Sequence, residues 1–108
     1  MRWAKRIMID LTPDHLALVK HILAAHMPAL EVRVFGSRVT GQARHYSDLD
    51  LVIMSREKID RAALYRLEEA FVASDLPFRV DVLDWQRLSE SFRQVIERKY
   101  EVLQVEGG

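Results

Sequence analysis

The sequence predicts a single small α/β (α+β) domain, with helices packed on a short mixed sheet. Three observations predict it. The chain has 108 residues, the length of one domain. Its apolar residues switch period along the chain, in the order α-β-(α)-β-α-β-α. Residues 31–35, 49–54 and 79–83 are short apolar runs, rich in β-branched residues and bounded by breakers, as strands are. Elements alternating in this way pack as helices laid on a sheet.

Residues 1–10 are expected to be a loosely ordered N-terminal extension, ahead of a domain over 11–108. They are basic and then apolar, but the apolar part, Ile7-Met8-Ile9, is too short for a signal-peptide core. Thr12-Pro13 starts a helix, with a hydroxyl at the cap and proline at the first helical position. Leu16, Val19, Ile22 and Leu23 follow helical spacing, and Pro28 ends the helix near Met27. Glu31 to Phe35 alternates and reads as a strand, broken by Gly36-Ser37. A short helix is expected from Ser37 to about Gln42, then loop from Arg44 to Ser47, then a largely buried strand from Leu49 to Met54. Asp60 is the next helix cap, with Ile59 and Leu64 as a hydrophobic staple. Leu67 and Phe71 continue that helix's face, and Asp75-Leu76-Pro77 ends it. Arg79 to Leu83 is the third strand. A last helix starts at Asp84 or Ser89 and runs to Lys99, with Leu88, Phe92, Val95 and Ile96 inward. Residues 100–105 are expected to be a short extended tail, and Gly107-Gly108 to fray.

Composition removes several classes of function. Sixteen basic and sixteen acidic side chains cancel, whereas charge-driven nucleic-acid binding calls for a basic excess. No direct nucleic-acid binding is expected. The absence of cysteine excludes disulfides and thiolate metal sites and is compatible with a reducing, cytoplasmic setting. No apolar run approaches the ~18 residues of a membrane span.

The informative residues are Phe35-Gly36-Ser37-Arg38, then, with ten residues intervening after Ser37, Asp48-Leu49-Asp50, and then Asp81 within Arg79-Val80-Asp81-Val82-Leu83. In a strand, Asp48 and Asp50 project to one side about 6.6 Å apart, while Leu49 and Leu51 enter the core. If the third strand lies beside the second, Asp81 joins them. Carboxylates that close repel one another, and divalent cations relieve the repulsion. Mg²⁺ favours carboxylates together with substrate phosphates. Two such ions, ~3.5–4 Å apart, serve in-line phosphoryl displacement. Asp48, Asp50 and Asp81 are therefore the candidate metal-binding and catalytic residues, with Asp81 also placed to take the acceptor's proton. Gly36 lets backbone approach a ligand. Ser37 adds a hydroxyl, and Arg38 a fork suited to phosphate oxygens. Gly36, Ser37 and Arg38 are the candidate nucleotide-binding residues. Alone, each piece has an ordinary reading: a simple turn, a solvated acid pair, an edge-strand charge, a surface cation. Their order and spacing together favour the chemical one.

The run GSRVTGQARHYSDLDL, with the later RVDVLDW, resembles the Gly-Ser, ten residues, Asp-x-Asp signature of the DNA polymerase β-like nucleotidyltransferase superfamily. It is most similar to the minimal nucleotidyltransferases (MNT) that serve as antitoxins in HEPN–MNT toxin–antitoxin pairs. The resemblance spans about Leu11 to Arg98. It implies transfer of AMP from ATP, with Mg²⁺, to a tyrosine hydroxyl of a helical HEPN toxin encoded by a neighbouring gene. It implies a hetero-oligomer with that toxin. Gly36 and Ser37 match the nucleotide-phosphate positions, Asp48 and Asp50 the metal-binding pair, and Asp81 the third acid.

Two other readings remain open in the sequence. The chain is small and lacks an acceptor-binding domain, so a non-catalytic module that neutralises its partner by complex formation is the alternative. Transfer to a small molecule or an RNA 3′ end is weaker, because enzymes of those kinds carry extra domains.

Overall fold

A computed structural model of the chain describes residues 9–107. The elements are α1 (Pro13–His26), β1 (Glu31–Phe35), α2 (Ser37–Thr40), β2 (Leu49–Met54), α3 (Arg61–Val72), β3 (Val80–Asp84), a 3₁₀ turn (Trp85–Arg87), α4 (Glu90–Arg98) and β4 (Glu101–Gln104). The expected extension lies outside the described residues over 1–8. Its last two residues join the domain: Ile9 packs against the core, and the Asp10 amide donates to the Arg38 carbonyl at 2.7 Å. At the other end Gly108 also lies outside the described residues, while the Gly107 amide donates to the Ala29 carbonyl at 2.9 Å.

The sheet is mixed, as expected, with strand order β3-β2-β1-β4. β1 is antiparallel to β2 and β4, and β2 is parallel to β3. α1 and α3 begin where their caps predict, and α2 begins at Ser37 as expected, without a side-chain cap, but ends at Thr40 rather than near Gln42. Thr12 accepts from the His15 amide and Asp60 from the Ala63 amide. Of the two proposed starts of the last helix, Ser89 is the one that holds, and Asp84 starts a separate turn. Asp84 caps the 3₁₀ turn by accepting from the Gln86 amide, and Ser89 caps α4 by accepting from the Phe92 amide. β3 ends one residue later than expected because Asp84 still pairs with Ile53. The expected tail is a fourth strand, since residues 101–104 find the free edge of β1.

Strand alternation sorts side chains onto two faces. One face presents Val32, Val34, Leu49, Leu51, Ile53, Val82 and Leu103, all buried, to Val19 and Leu23 of α1 and to Leu67 and Phe71 of α3. The reverse face carries Phe35, Asp50, Val52 and Asp81. There α4 meets the sheet along a narrow seam, with the Phe92 ring edge-on to Phe35 at 5.9 Å. This corrects the expected inward face of α4. Ile96 is 0% exposed, but Phe92 is 36% and Val95 50% exposed. A nine-residue helix lying alone on its face of the sheet has no second neighbour to cover its flanks.

Candidate active site

The register places the acids. Phe35 pairs with Asp50 across β1 and β2, and Asp50 pairs with Asp81 across β2 and β3. Residues directly opposite share a face, so these three side chains form a row across the sheet. The row lies where β1 ends and β2 and β3 begin. Asp48 stands two residues ahead of Asp50, exposed, with fully buried Leu49 between them. The four residues bound a cleft of about 460 Å³ only in part: Phe35, Asp50, Arg79, Asp81, Leu83 and Phe92 line it, and Asp48 lies outside the lining. A second cleft, of about 450 Å³, follows α3 past Arg61, Tyr65 and Arg87 and holds none of the three acids.

Gly36 ends β1 at φ +82°, ψ −157°. Such a conformation is essentially restricted to glycine. A Cβ there would lie 2.4 Å from Asp50 Oδ2, so glycine is also what lets the carboxylate sit against the turn. Ser37 follows, half-buried, as the first residue of α2. The glycine turn and Asp50 therefore come together, with Ser37 next in the chain.

The charges interact. Burial, and then the Asp81 and Asp48 charges, push the Asp50 carboxyl above its ordinary pKa, while Arg79 pulls it down. Arg79 is the cation facing the acids: its Nη2 is 2.8 Å from Asp81 Oδ1, on a side chain 73% exposed. The strand alternation in Arg79-Val80-Asp81 already places the two on one side. Among the described residues, no three acids or histidines stand close enough to enclose an ion. The donor set nevertheless fits a hard divalent cation. It consists of carboxylates, two of which, Asp81 and Asp48, add to burial in raising the pKa of Asp50, beside a glycine whose missing side chain leaves Asp50 Oδ2 its room.

Arg38 is the site residue that the structure places elsewhere. Expected to grip phosphate, it is 6% exposed and turned into the domain. Nε and Nη2 donate to the Ser47 carbonyl at 3.1 and 2.8 Å, Nη2 to the His45 carbonyl at 3.3 Å, and Nη1 to the Asp10 carbonyl at 2.7 Å. Its guanidinium lies 4.3 Å from the Phe78 ring centre. The reason is local: the loop ahead of Asp48 offers unpaired carbonyls, buried carbonyls need donors, and Arg38 is the side chain beneath them. Arg44 and His45 line a different cavity, of about 270 Å³, beside Arg38, and Tyr46 is exposed. Trp85 is half-buried with Arg93 over its ring.

Comparison with known proteins bears on the family and the fold. A family model described as "Polymerase beta, Nucleotidyltransferase" matches residues 18–105. The "Probable protein adenylyltransferase MntA" of Haemophilus influenzae is 52% identical over 96 residues, covering 89% of this chain and 84% of that protein. A crystal structure of a toxin–antitoxin pair with AMP-PNP superposes with a TM-score of 0.71 at 24% identity, over 85% of this chain and 74% of that one. A tri-AMPylated Shewanella oneidensis HEPN toxin in complex with its MNT antitoxin gives 0.60 at 23% identity, over 83% and 72%. At such identities these two likenesses carry the fold alone.

Proposed function

We infer that this chain, which belongs to the polymerase β nucleotidyltransferase family, is a protein adenylyltransferase that moves AMP from ATP to a hydroxyl of a partner protein. The observation that carries the reading is the register of Asp50 with Asp81 on parallel strands, with Gly36 against Asp50. The relationship to the Haemophilus influenzae adenylyltransferase supports the donor and the protein acceptor. The names of the toxin–antitoxin neighbours, one a tri-AMPylated HEPN toxin in complex with its MNT antitoxin, support a HEPN toxin as partner and acceptor, a hetero-oligomer and an antitoxin role. A tyrosine as the acceptor residue and a cytoplasmic setting belong to the same proposal.

In the transfer, the acceptor oxygen forms a bond to the α-phosphorus, the bond from that phosphorus to the β-bridging oxygen breaks, and pyrophosphate leaves. Asp81 lies at the strand edge, where it takes the acceptor's proton once Arg79 releases it. Gly36 admits the triphosphate close to backbone, and Ser37 donates its hydroxyl to a phosphate oxygen. Asp48, Asp50 and Asp81 would hold Mg²⁺, two ions by this reading. When bound, the metal supplies charge neutralisation at the phosphates.

The test is to mix the purified chain with its genomic neighbour, labelled ATP and Mg²⁺. Label on the neighbour, lost in D48N/D50N, is the expected result. No label under any metal or nucleotide ends the reading. A second reading, neutralisation by complex formation alone, is favoured by the exposed Phe92 and Val95 beside the cleft. It requires D48N/D50N to protect cells from the partner as well as the parent chain does.

A further inference from the structure

We propose that Arg38 is a positioning residue for the transfer: without touching nucleotide, its buried guanidinium fixes the loop that delivers Asp48 and locks that loop to the start of the strand that carries Asp81. The proposal rests on the adenylyltransferase reading above.

The loop between α2 and β2 has no helix or strand of its own. Within it, the Arg44 amide donates to Ser47 Oγ at 2.7 Å and the Ser47 amide to the Arg44 carbonyl at 3.0 Å. These bonds shape segment 43–47 but do not attach it to anything. Among the described residues, every hydrogen bond joining that segment to the rest of the domain is donated by Arg38. Ser47, which takes two of them, is the residue before Asp48. An exposed acid at the end of a loop otherwise has no fixed place, and a misplacement of about 1 Å in a catalytic group can cost on the order of 100-fold in rate.

The same guanidinium ties two further segments. Asp10 is bonded through both main-chain groups: its carbonyl accepts from Nη1, and its amide donates to the Arg38 carbonyl. Phe78 lies under the guanidinium plane, and the next residue, Arg79, accepts from the Leu49 amide at 2.9 Å in the contact that opens the β2–β3 pairing. Arg38 therefore touches the residue before Asp48 on one side and the chain three residues before Asp81 on the other. Only arginine provides this set of contacts. It needs a planar fork with two donors on one carbonyl, further donors pointing elsewhere in the same plane, and a flat face for an aromatic ring. Lysine, a point charge, makes at most part of it.

The experiment has two arms. In the unaltered protein, NMR of the Arg38 guanidinium is expected to give separate, slowly exchanging Nη proton signals that do not move when ATP is added. Signals that shift with ATP, or that exchange as freely as those of Arg56, would overturn the proposal. In the second arm, R38K and R38M, which keep a long unbranched stem but lack the fork, are compared with the parent chain. Both are expected to lose about 100-fold in kcat for AMP transfer, with less than 3-fold change in ATP affinity. Deuterium uptake is expected to rise over residues 43–48 but not over β2 or α3. Millimolar guanidinium ion should restore part of the R38M rate, because the cavity beside Arg38 opens to solvent. Retention of the parent kcat by R38K, or loss of ATP affinity equal to the loss of rate, would refute positioning. If the parent chain itself transfers no AMP, the adenylyltransferase reading fails, and the NMR arm still decides whether the guanidinium is locked.

Discussion

Gly36→Ala measures how tightly the turn and the acids are built together. Two costs are readable. The backbone conformation at φ +82°, ψ −157° is closed to alanine, which places the strain at about 1–3 kcal/mol. The new Cβ would meet Asp50 Oδ2 at 2.4 Å and Cγ at 3.2 Å. Ordinary contact is about 3.5 Å, so the carboxylate must retreat by roughly 1 Å. In a domain of this size, about 1–3 kcal/mol lowers Tm by about 5–15 °C. The same retreat predicts a loss of roughly 100-fold in AMP transfer. Thermal melts followed by far-ultraviolet circular dichroism in EDTA, with transfer assays below the variant's Tm, read both. The clash is separated from the strain by repeating G36A in a D50A background. There only the strain remains, so the two substitutions should be less than additive. A G36A chain that melts within about 2 °C of the parent and transfers AMP at the parent rate would refute the reasoning.

Four further outcomes follow. Because burial and the Asp81 and Asp48 charges raise the Asp50 pKa, ionised Asp50 costs stability, and the parent chain loses stability as pH rises through that raised value. D50N should therefore melt higher than the parent at neutral pH in EDTA, match it in acid, and transfer no AMP. Asp84 has the opposite sign. Burial pushes its carboxyl up, but the Ser55 hydroxyl, the Ile59 and Gln86 amides and Arg87 outweigh it and hold it below its ordinary value. Its contribution is present above the unfolded-state value and is lost as pH falls through the folded one. D84N should cost about 2–3 kcal/mol at pH 7, a deficit that shrinks in urea melts taken below about pH 4. Ile96→Ala should cost about 2–5 kcal/mol and half-exposed Val95→Ala much less, as denaturant midpoints will report. Removal of divalent metal with EDTA should stop transfer without unfolding the chain, and added Mg²⁺ should raise the Tm of the parent but not of D48N/D50N.

Much of this was legible in the sequence because the signals were local. Caps at Thr12, Asp60 and Ser89 set helix starts, and alternation over residues 31–35 and the apolar run over 49–54 marked β1 and β2 to the residue. The pairing of Asp50 with Asp81 followed once β3 was placed beside β2, a placement that alternation allows but does not require. What stayed hidden depends on contacts far apart in the chain. Arg38 reads as a surface cation or a phosphate fork until the carbonyls of His45, Ser47 and Asp10 are seen around it. The tail became β4 because β1 had an open edge, which residues 101–104 cannot reveal by themselves. The face of α4 was misjudged because helical spacing reports which side is apolar, not how much of that side a neighbour covers.

The parallel pairing of β2 with β3 also orders events during synthesis. A nascent chain that has released only the β1–β2 hairpin holds Asp48 and Asp50 but not the third acid. The α3 crossover leaves the ribosome first, and residues 80–84 must follow it and fold back beside β2 before position 81 reaches position 50. On the proposed function, competence for transfer then waits for β3, because a chain that lacks residues 80–84 holds two of the three acids.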